Sequence, residues 1–371
     1  MRYLTTGILS LAFFAGVGVS AAFSETIETS VGPVEVTPVV GDLNAPWAVA
    51  IIETGKYLIT ERDGRIWFVQ DGDKTAVSGV PDVYAEGQGG LLDLVLARDF
   101  ATTNEVFITY SRPSGRGAGT ALAVAEFDEG AKRLRNVRDI FVSNDVSGGG
   151  RHFGSRVVEA NDGTLFLTIG DRGDRPTAQD PSVHNGSVIR VNRDGSIPSN
   201  NPSIDGWAAG IYSIGHRNAQ GAALDENGQF WTVSHGARGG DEINKPEPGK
   251  NYGWPVISYG THYSGRKIGV GTAADGLEQP IFFWDPSMAP SGMMIYSGDM
   301  FPEWKGDIFV GSLKFSYISR LDRNGTRING EEELFRDVFA RIRDVREGPD
   351  GAIYFLAVGE DTLYRITRPQ G

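Results

Sequence analysis

Cysteine is absent from the 371-residue sequence, so the chain has no disulfide, no thiolate nucleophile, no iron–sulfur cluster and no cysteine-type zinc site. Histidine is scarce, at five residues, and none falls in an H-E-x-x-H pattern; a G-x-S-x-G elbow and a Walker A loop are missing too. Basic residues are in deficit, with 35 Lys and Arg against 47 Asp and Glu, a formal net charge of −12. That sign opposes broad attraction to phosphate backbones or anionic membranes, and no nucleic-acid partner is expected. Beyond the N-terminus no apolar run approaches the length of a membrane span. Helical periodicity is nearly missing, and only Glu331 to Ala340 reads as a short helix.

Glycine, by contrast, is plentiful: 50 residues without a G-X-Y repeat, which calls for many turns. Short β-rich segments with a bulky residue near the middle recur six times, around Leu58, Phe107, Phe166, Trp231, Phe309 and Tyr354. Several stand beside the same punctuation, as in Asn161-Asp162-Gly163, Glu226-Asn227-Gly228 and Pro349-Asp350-Gly351, which supplies a tight turn between strands. A period of about 45 to 80 residues with four strands per unit is what propeller blades require. A β-sandwich or two stacked β domains would rarely need six copies of one signature, and no Pro- or Ser-rich linker divides the chain. The expectation is an all-β protein, a single six-bladed β-propeller of four-stranded antiparallel blades over residues 25–371, with its site where the connecting loops converge on the axis. Residues 1–24 read as a signal peptide: Arg2 precedes an apolar run from Ile8 to Phe23, and Ser20, Ala21 and Ala22 suit a signal peptidase. The mature chain is therefore expected in a periplasm, without stable membrane insertion.

Polar loops carry the chemistry. His152 lies in GGGRHFGSR, where glycines allow close backbone approach to something at the axis, although a capped turn explains the same residues. GHRNAQG, residues 215–221, crowds His216, Arg217, Asn218 and Gln220 into one short stretch, which implies either a ligand or a hydrogen-bond network between blades. The glycine-rich loop from Ser234 to Pro255 carries Asp241 and Glu242, and carbonyls beside a carboxylate suit Ca²⁺. Arg341 and Arg343 alternate onto one strand face, and with Lys314 they could clamp an anion. Asp322, Asn324 and Glu333 fit three positions of a calcium loop, but Arg327 occupies the obligatory Gly position, so this stretch reads as a strand turn.

Taken together, GHRNAQG, GGDEIN, NYGWP, LITERDGRIW and RIRDVREGPDG resemble the PQQ-dependent soluble aldose sugar dehydrogenases, relatives of soluble quinoprotein glucose dehydrogenase; the similarity runs from Pro46 to Ile366. The resemblance implies a six-bladed propeller that oxidises aldose sugars at C1 to aldonolactones with PQQ and Ca²⁺, and an electron acceptor that it does not specify. It implies His152 as general base, Gln88 and Asp171 as active-site residues, and Arg217, Asn218 and Gln220 as PQQ contacts. Lys314, Arg341 and Arg343 match charged PQQ-binding positions; Gly236 and Ala237 match the carbonyls that hold the catalytic Ca²⁺, and Glu242 and Tyr252 a second, structural Ca²⁺ site. Ala237 stands where Pro is frequent, and Arg151 where the glucose enzyme is acidic, so substrate preference does not carry over. The alternatives are a Ca²⁺-dependent propeller lactonase or esterase, which would leave Lys314, Arg341 and Arg343 without a task, and a non-catalytic sugar- or protein-binding propeller.

Overall fold

Each of the six recurrent apolar segments is the second strand of a blade: Lys56–Glu61, Glu105–Ser114, Leu165–Thr168, Phe230–Ser234, Ile308–Ser312 and Ile353–Ala357. A second strand lies between the axial strand and the third, with neighbouring blades on both faces. It is therefore covered on all sides, and Leu165–Thr168, Phe230–Ser234 and Ile353–Ala357 are buried at every position. Burying one Phe or Leu in this way contributes roughly 1.5–3 kcal/mol, which explains why these runs are the most apolar in the chain. The computed structural model describes residues 24–369; all of the expected signal peptide except Ser24 lies outside them.

Six antiparallel sheets are formed, as expected. The axial strands are Pro46–Glu53, Leu91–Leu96, Val157–Glu159, Ala219–Leu224, Pro290–Ile295 and Ile342–Glu347, and they touch in that cyclic order until the last meets the first. We number the blades 1 to 6 in the same order. Blades 1 to 5 are four-stranded, whereas blade 6 has five strands because the N-terminal hairpin, Glu25–Thr29 and Gly32–Val40, adds to its outer edge. Val36 faces Ile366 and Glu35 faces Thr367 in that join. The N- and C-terminal ends of the ring are thus closed by backbone hydrogen bonds, and Val34 and Val36 enter the core shared by blades 5 and 6.

One expectation fails. The segment 331–340 is not helical: Arg327–Leu334 is the outer strand of blade 5, and a turn follows. Phe335 and Asp337 both have φ of 61°, which an α-helix does not admit. The i, i+4 pair Phe335 and Phe339 is buried because the turn folds both rings onto Phe355, not because they share a helical face. The stretch around Asp322 and Asn324 is a hairpin, with Asn324 opposite Arg327, in line with the strand-turn reading.

Candidate active site

A cavity of about 240 Å³ opens at one end of the axis. Its walls come from the loops that lead into the axial strands, carrying Gln88, His152, Gly154, Arg217 and Arg341, and from turns after second strands, carrying Arg62, His235 and Leu313. A propeller delivers one such loop per blade to the same end, which brings residues far apart in sequence together.

His152 sits at φ 51°, a left-handed conformation that is uncommon outside glycine and frequent at functional sites. Gln88 Oε1 accepts a hydrogen bond from its backbone N–H at 2.8 Å. Gly170 makes the arrangement possible, since a Cβ there would lie 2.2 Å from the His152 carbonyl oxygen. The imidazole Nδ1 is 2.5 Å from Asp171 Oδ1. Asp171 is fully buried, and its carboxylate also accepts from the Gly173 N–H at 2.8 Å and from Trp254 Nε1 at 2.8 Å. A carboxylate only accepts, so Nδ1 carries the proton and Nε2 is left with its lone pair. Burial lowers the pKa of His152, Arg217 lowers it further, and Asp171 opposes both; the net direction is down. Burial alone would raise the pKa of Asp171, but His152, the Gly173 N–H and Arg217 outweigh it and hold the carboxyl below its ordinary value. The pair at neutral pH is a neutral, oriented imidazole on an ionised carboxylate.

Asn218 and Gln220 brace the same loop: Asn218 Oδ1 accepts from the Gly154 N–H at 3.1 Å, and Gln220 Nε2 donates to the Gly154 carbonyl at 2.9 Å. Beneath them lies a buried ionic floor. Arg156 bridges Asp93 and Asp344 at 3.0 and 2.9 Å, and Arg346 meets the same two carboxylates at 2.6 and 3.0 Å.

The cavity wall itself is unbalanced. Arg62, Arg217, Arg341 and Arg343 line it, no Asp or Glu does, and among the described residues none of the four makes a salt bridge. Arg343 Nη1 donates only to Gln220 Oε1 at 3.1 Å, and burial with the nearby Arg156, Arg341 and Arg62 pushes its pKa down to about 9. Arg62 Nε and Arg217 Nε are buried without any hydrogen-bond partner. Four like charges gathered in one cavity, with Arg217 buried, are uncompensated, and a polyanionic ligand would balance them.

A second cavity, of about 10 Å³, adjoins the first and is lined by Gly236, Glu242, Asn244 and Tyr252 among others. Its size suits one water or one ion. Glu242 is pushed up to about 7 by burial and by Asp241, against a single hydrogen bond from Asn244 Nδ2 at 3.2 Å. Asn244 Oδ1 is buried and unpartnered. An under-neutralised carboxylate beside an orphaned carbonyl oxygen is a donor set that fits a hard cation. Among the described residues no group of three His, Asp or Glu side chains converges as a metal site, so backbone carbonyls would have to complete it.

Residues 43–365 match the family of glucose and sorbosone dehydrogenases. The chain belongs to this family. Aldose sugar dehydrogenase YliI of Escherichia coli (strain K12) is 42% identical over 323 residues, covering 85% of this chain and 87% of that protein. The apo-form crystal structure of the soluble aldose sugar dehydrogenase from Escherichia coli superimposes with a TM-score of 0.87 at 40% identity, covering 91% of this chain and all of the other. Quinoprotein glucose dehydrogenase B of Acinetobacter calcoaceticus is 29% identical over 419 residues, covering 90% of this chain and 86% of that protein. As a member of this family the chain is an oxidoreductase. No helix among the described residues is long and apolar enough to cross a membrane.

Against the expectations for a family member, His152, Gln88, Arg217, Asn218, Gln220, Arg341 and Arg343 do converge on one cavity, with Asp171 behind His152. Lys314 does not line it: the side chain is exposed, with its ammonium 3.2 Å from the Ser287 carbonyl. Asp241 is an unsuitable ligand, since its buried carboxylate is already taken by the Gly236 N–H, the Ser287 hydroxyl and the Ala289 N–H. Ala237 packs against Trp254, Ala178 and Ile268, while Gly236 faces the smaller cavity. His216 lines the smaller cavity: it is buried, stacks on Tyr252, meets the Ser213 hydroxyl at 2.8 Å, leaves Nδ1 unpartnered among the described residues and is held neutral by burial at a pKa of about 3. Sequence reasoning missed Arg62, Trp47, His235 and Tyr263 in the main wall. It also missed Arg172, which is buried and donates to the carbonyls of Arg151 and Gly149, fixing the His152 loop.

Proposed function

We propose that the protein oxidises aldose sugars at C1 to aldonolactones with PQQ as resident cofactor, in a periplasm. The observation that carries this reading is the pairing, within one cavity, of an oriented neutral imidazole with four guanidinium groups that meet no carboxylate. PQQ bears three carboxylates and would supply the two-electron acceptor. Arg217, Arg341 and Arg343 would hold it, with Asn218 and Gln220 completing the contacts and Lys314 at the rim.

The residues of the chain would do the rest. His152 Nε2 takes the proton of the C1 hydroxyl, and Asp171 stabilises the imidazolium that forms, while Trp254 and Gly173 keep that carboxylate from rotating. The hydroxyl proton and the hydride leaving C1 account for the two hydrogens lost when a cyclic hemiacetal becomes a lactone. Arg217, buried over the ring of Trp254 at 5.3 Å, is a donor preorganised toward developing negative charge. Gly236 and Ala237 would offer carbonyls to a catalytic Ca²⁺, and Glu242 with the loop at Tyr252 would hold a structural one. The test is an aldose:dye oxidoreductase assay on PQQ-free protein: activity is expected only after PQQ and Ca²⁺ are added, and hydrolysis of lactones without sugar oxidation would favour the hydrolase alternative.

A further inference from the structure

Arg62 belongs to the turn after the second strand of blade 1, beside residues whose charges are all paired. Arg65, three positions on, reaches Glu61 and Asp63 at 3.1 and 3.6 Å, and Glu61 also accepts from the Asn44 N–H. The acids of the turn are thereby spent on Arg65. Arg62 turns the other way, into the main cavity, where among the described residues its guanidinium has neither an ion pair nor a hydrogen bond, and its Nε is buried.

Its backbone is fixed by both neighbours of the loop. The Arg62 N–H donates to the Ala45 carbonyl at 3.3 Å, and its own carbonyl accepts from the Leu91 N–H at 3.1 Å. Gly90, at φ 137°, lets that carbonyl approach, because a Cβ there would lie 1.9 Å from the Arg62 oxygen. A turn pinned on two sides while its long cation hangs unpartnered in a cavity stabilises nothing within the protein.

The charges of the cavity divide into two groups. Arg217 stands with His152 and Asp171, whereas Arg62 stands with Arg341 and Arg343, close enough for both to repel the Arg343 charge. The first group faces chemistry, and the second is a cluster of three guanidiniums from blades 1 and 6 that make no ion pair among the described residues, the nearby Asp344 being shared by Arg156 and Arg346.

Resting on the cofactor reading above, we propose that Arg62 is a cofactor-binding residue that completes, with Arg341 and Arg343, a three-guanidinium seat for carboxylate groups of the bound quinone. Planar guanidinium forks are the groups that carboxylates select.

The experiment is a titration of PQQ into the full mature chain, followed by quenching of tryptophan fluorescence, since Trp47 lies in the cavity wall. Wild type, Arg62→Gln, Arg62→Lys and Arg343→Gln are compared, each with the melting temperature of its PQQ-free form. Arg62→Gln is expected to weaken PQQ about ten- to hundredfold, the range for one charge-assisted contact, and Arg62→Lys to restore part of it. The PQQ-free melting temperature should stay level or rise, because an unpaired cation has been removed. Unchanged PQQ affinity in Arg62→Gln, with the loss confined to Arg343→Gln, overturns the assignment and leaves the cofactor reading standing. A melting temperature that falls in parallel with affinity also overturns it, in favour of a structural role. Absence of PQQ binding by wild type is the separate failure of the cofactor reading itself.

Discussion

His152 illustrates how one side chain is prepared by several others that share no sequence neighbourhood with it. Gln88 holds its backbone, Asp171 its tautomer, Trp254 the far oxygen of Asp171, and Arg172 the preceding loop. Replacing His152 by Ala removes the base without touching the cavity arginines, so kcat is expected to fall by roughly 10² to 10⁴ while PQQ affinity measured by fluorescence stays within a factor of a few. Full turnover at full occupancy would remove His152 from the mechanism. The base acts only when neutral, and its pKa is depressed by burial and Arg217. The acid limb of kcat/KM should therefore lie below the ordinary histidine range near 6.5, with activity held as pH falls through 6.5 and lost only beneath the depressed pKa of His152; a limb above 6.5 would contradict this environment. His152, Arg217, Asn218 and Gln220 stood out in the sequence because they sit in dense polar loops. The His152–Asp171 pairing did not, since a gap of 19 residues spans two loops and a whole strand pair. Arg62 was hidden for a different reason: within LITERDGRIW it looks like one more charged turn residue beside Asp63 and Arg65.

At the scale of single elements, the strength of a strand's signal followed its place in the blade. Second strands announced themselves because both faces are covered, while axial strands such as Ala219–Leu224, sequence AQGAAL, are small and partly polar where they line the channel. The outer strand Arg327–Leu334 is mostly exposed, and its Glu-rich sequence imitated a helix start. The loop from Ser234 to Pro255 was read as a calcium loop on density of glycine and carboxylates, and only the structure separates Asp241, whose oxygens are spent on Gly236, Ser287 and Ala289, from Glu242, which accepts a single hydrogen bond, from Asn244. Accordingly Ca²⁺ should raise the melting temperature of the wild type, chelation should reverse it, and Glu242→Gln should diminish the response while keeping the fold. A Ca²⁺ shift undiminished in Glu242→Gln would place the ion elsewhere. Arg343→Ala should weaken PQQ by about 1.5 to 3 kcal/mol, and more than Lys314→Ala, because Arg343 lines the cavity wall and Lys314 is exposed outside it. Equal losses in a binding titration would mean that Lys314 swings inward when the cofactor is bound.

For the whole molecule, ring closure and site construction are the same fact. Blade 6 takes its outer strands from residues 25–40, and Ser30 ties that hairpin to Glu332 of blade 5 at 2.8 Å. Leu363, fully buried opposite Val40, lies at the seam. Leu363→Ala should cost about 2 to 5 kcal/mol in denaturant unfolding, with hydrogen exchange rising first in blade 6; uniform loosening of all blades would argue against a seam. Closure in turn fixes Arg341 and Arg343 of the last blade against Arg62 of the first, so an acidic protein, with a net charge of −12, concentrates positive charge at one end of its axis. The most direct test of the central claim is reconstitution. Protein verified free of PQQ and metal is titrated with PQQ in excess Ca²⁺, and aldose oxidation is followed with an electron-accepting dye. Activity that is absent at the start and rises to a plateau at one PQQ per chain is the predicted result. Sugar oxidation by the PQQ-free protein, or none at saturating PQQ and Ca²⁺, would contradict it.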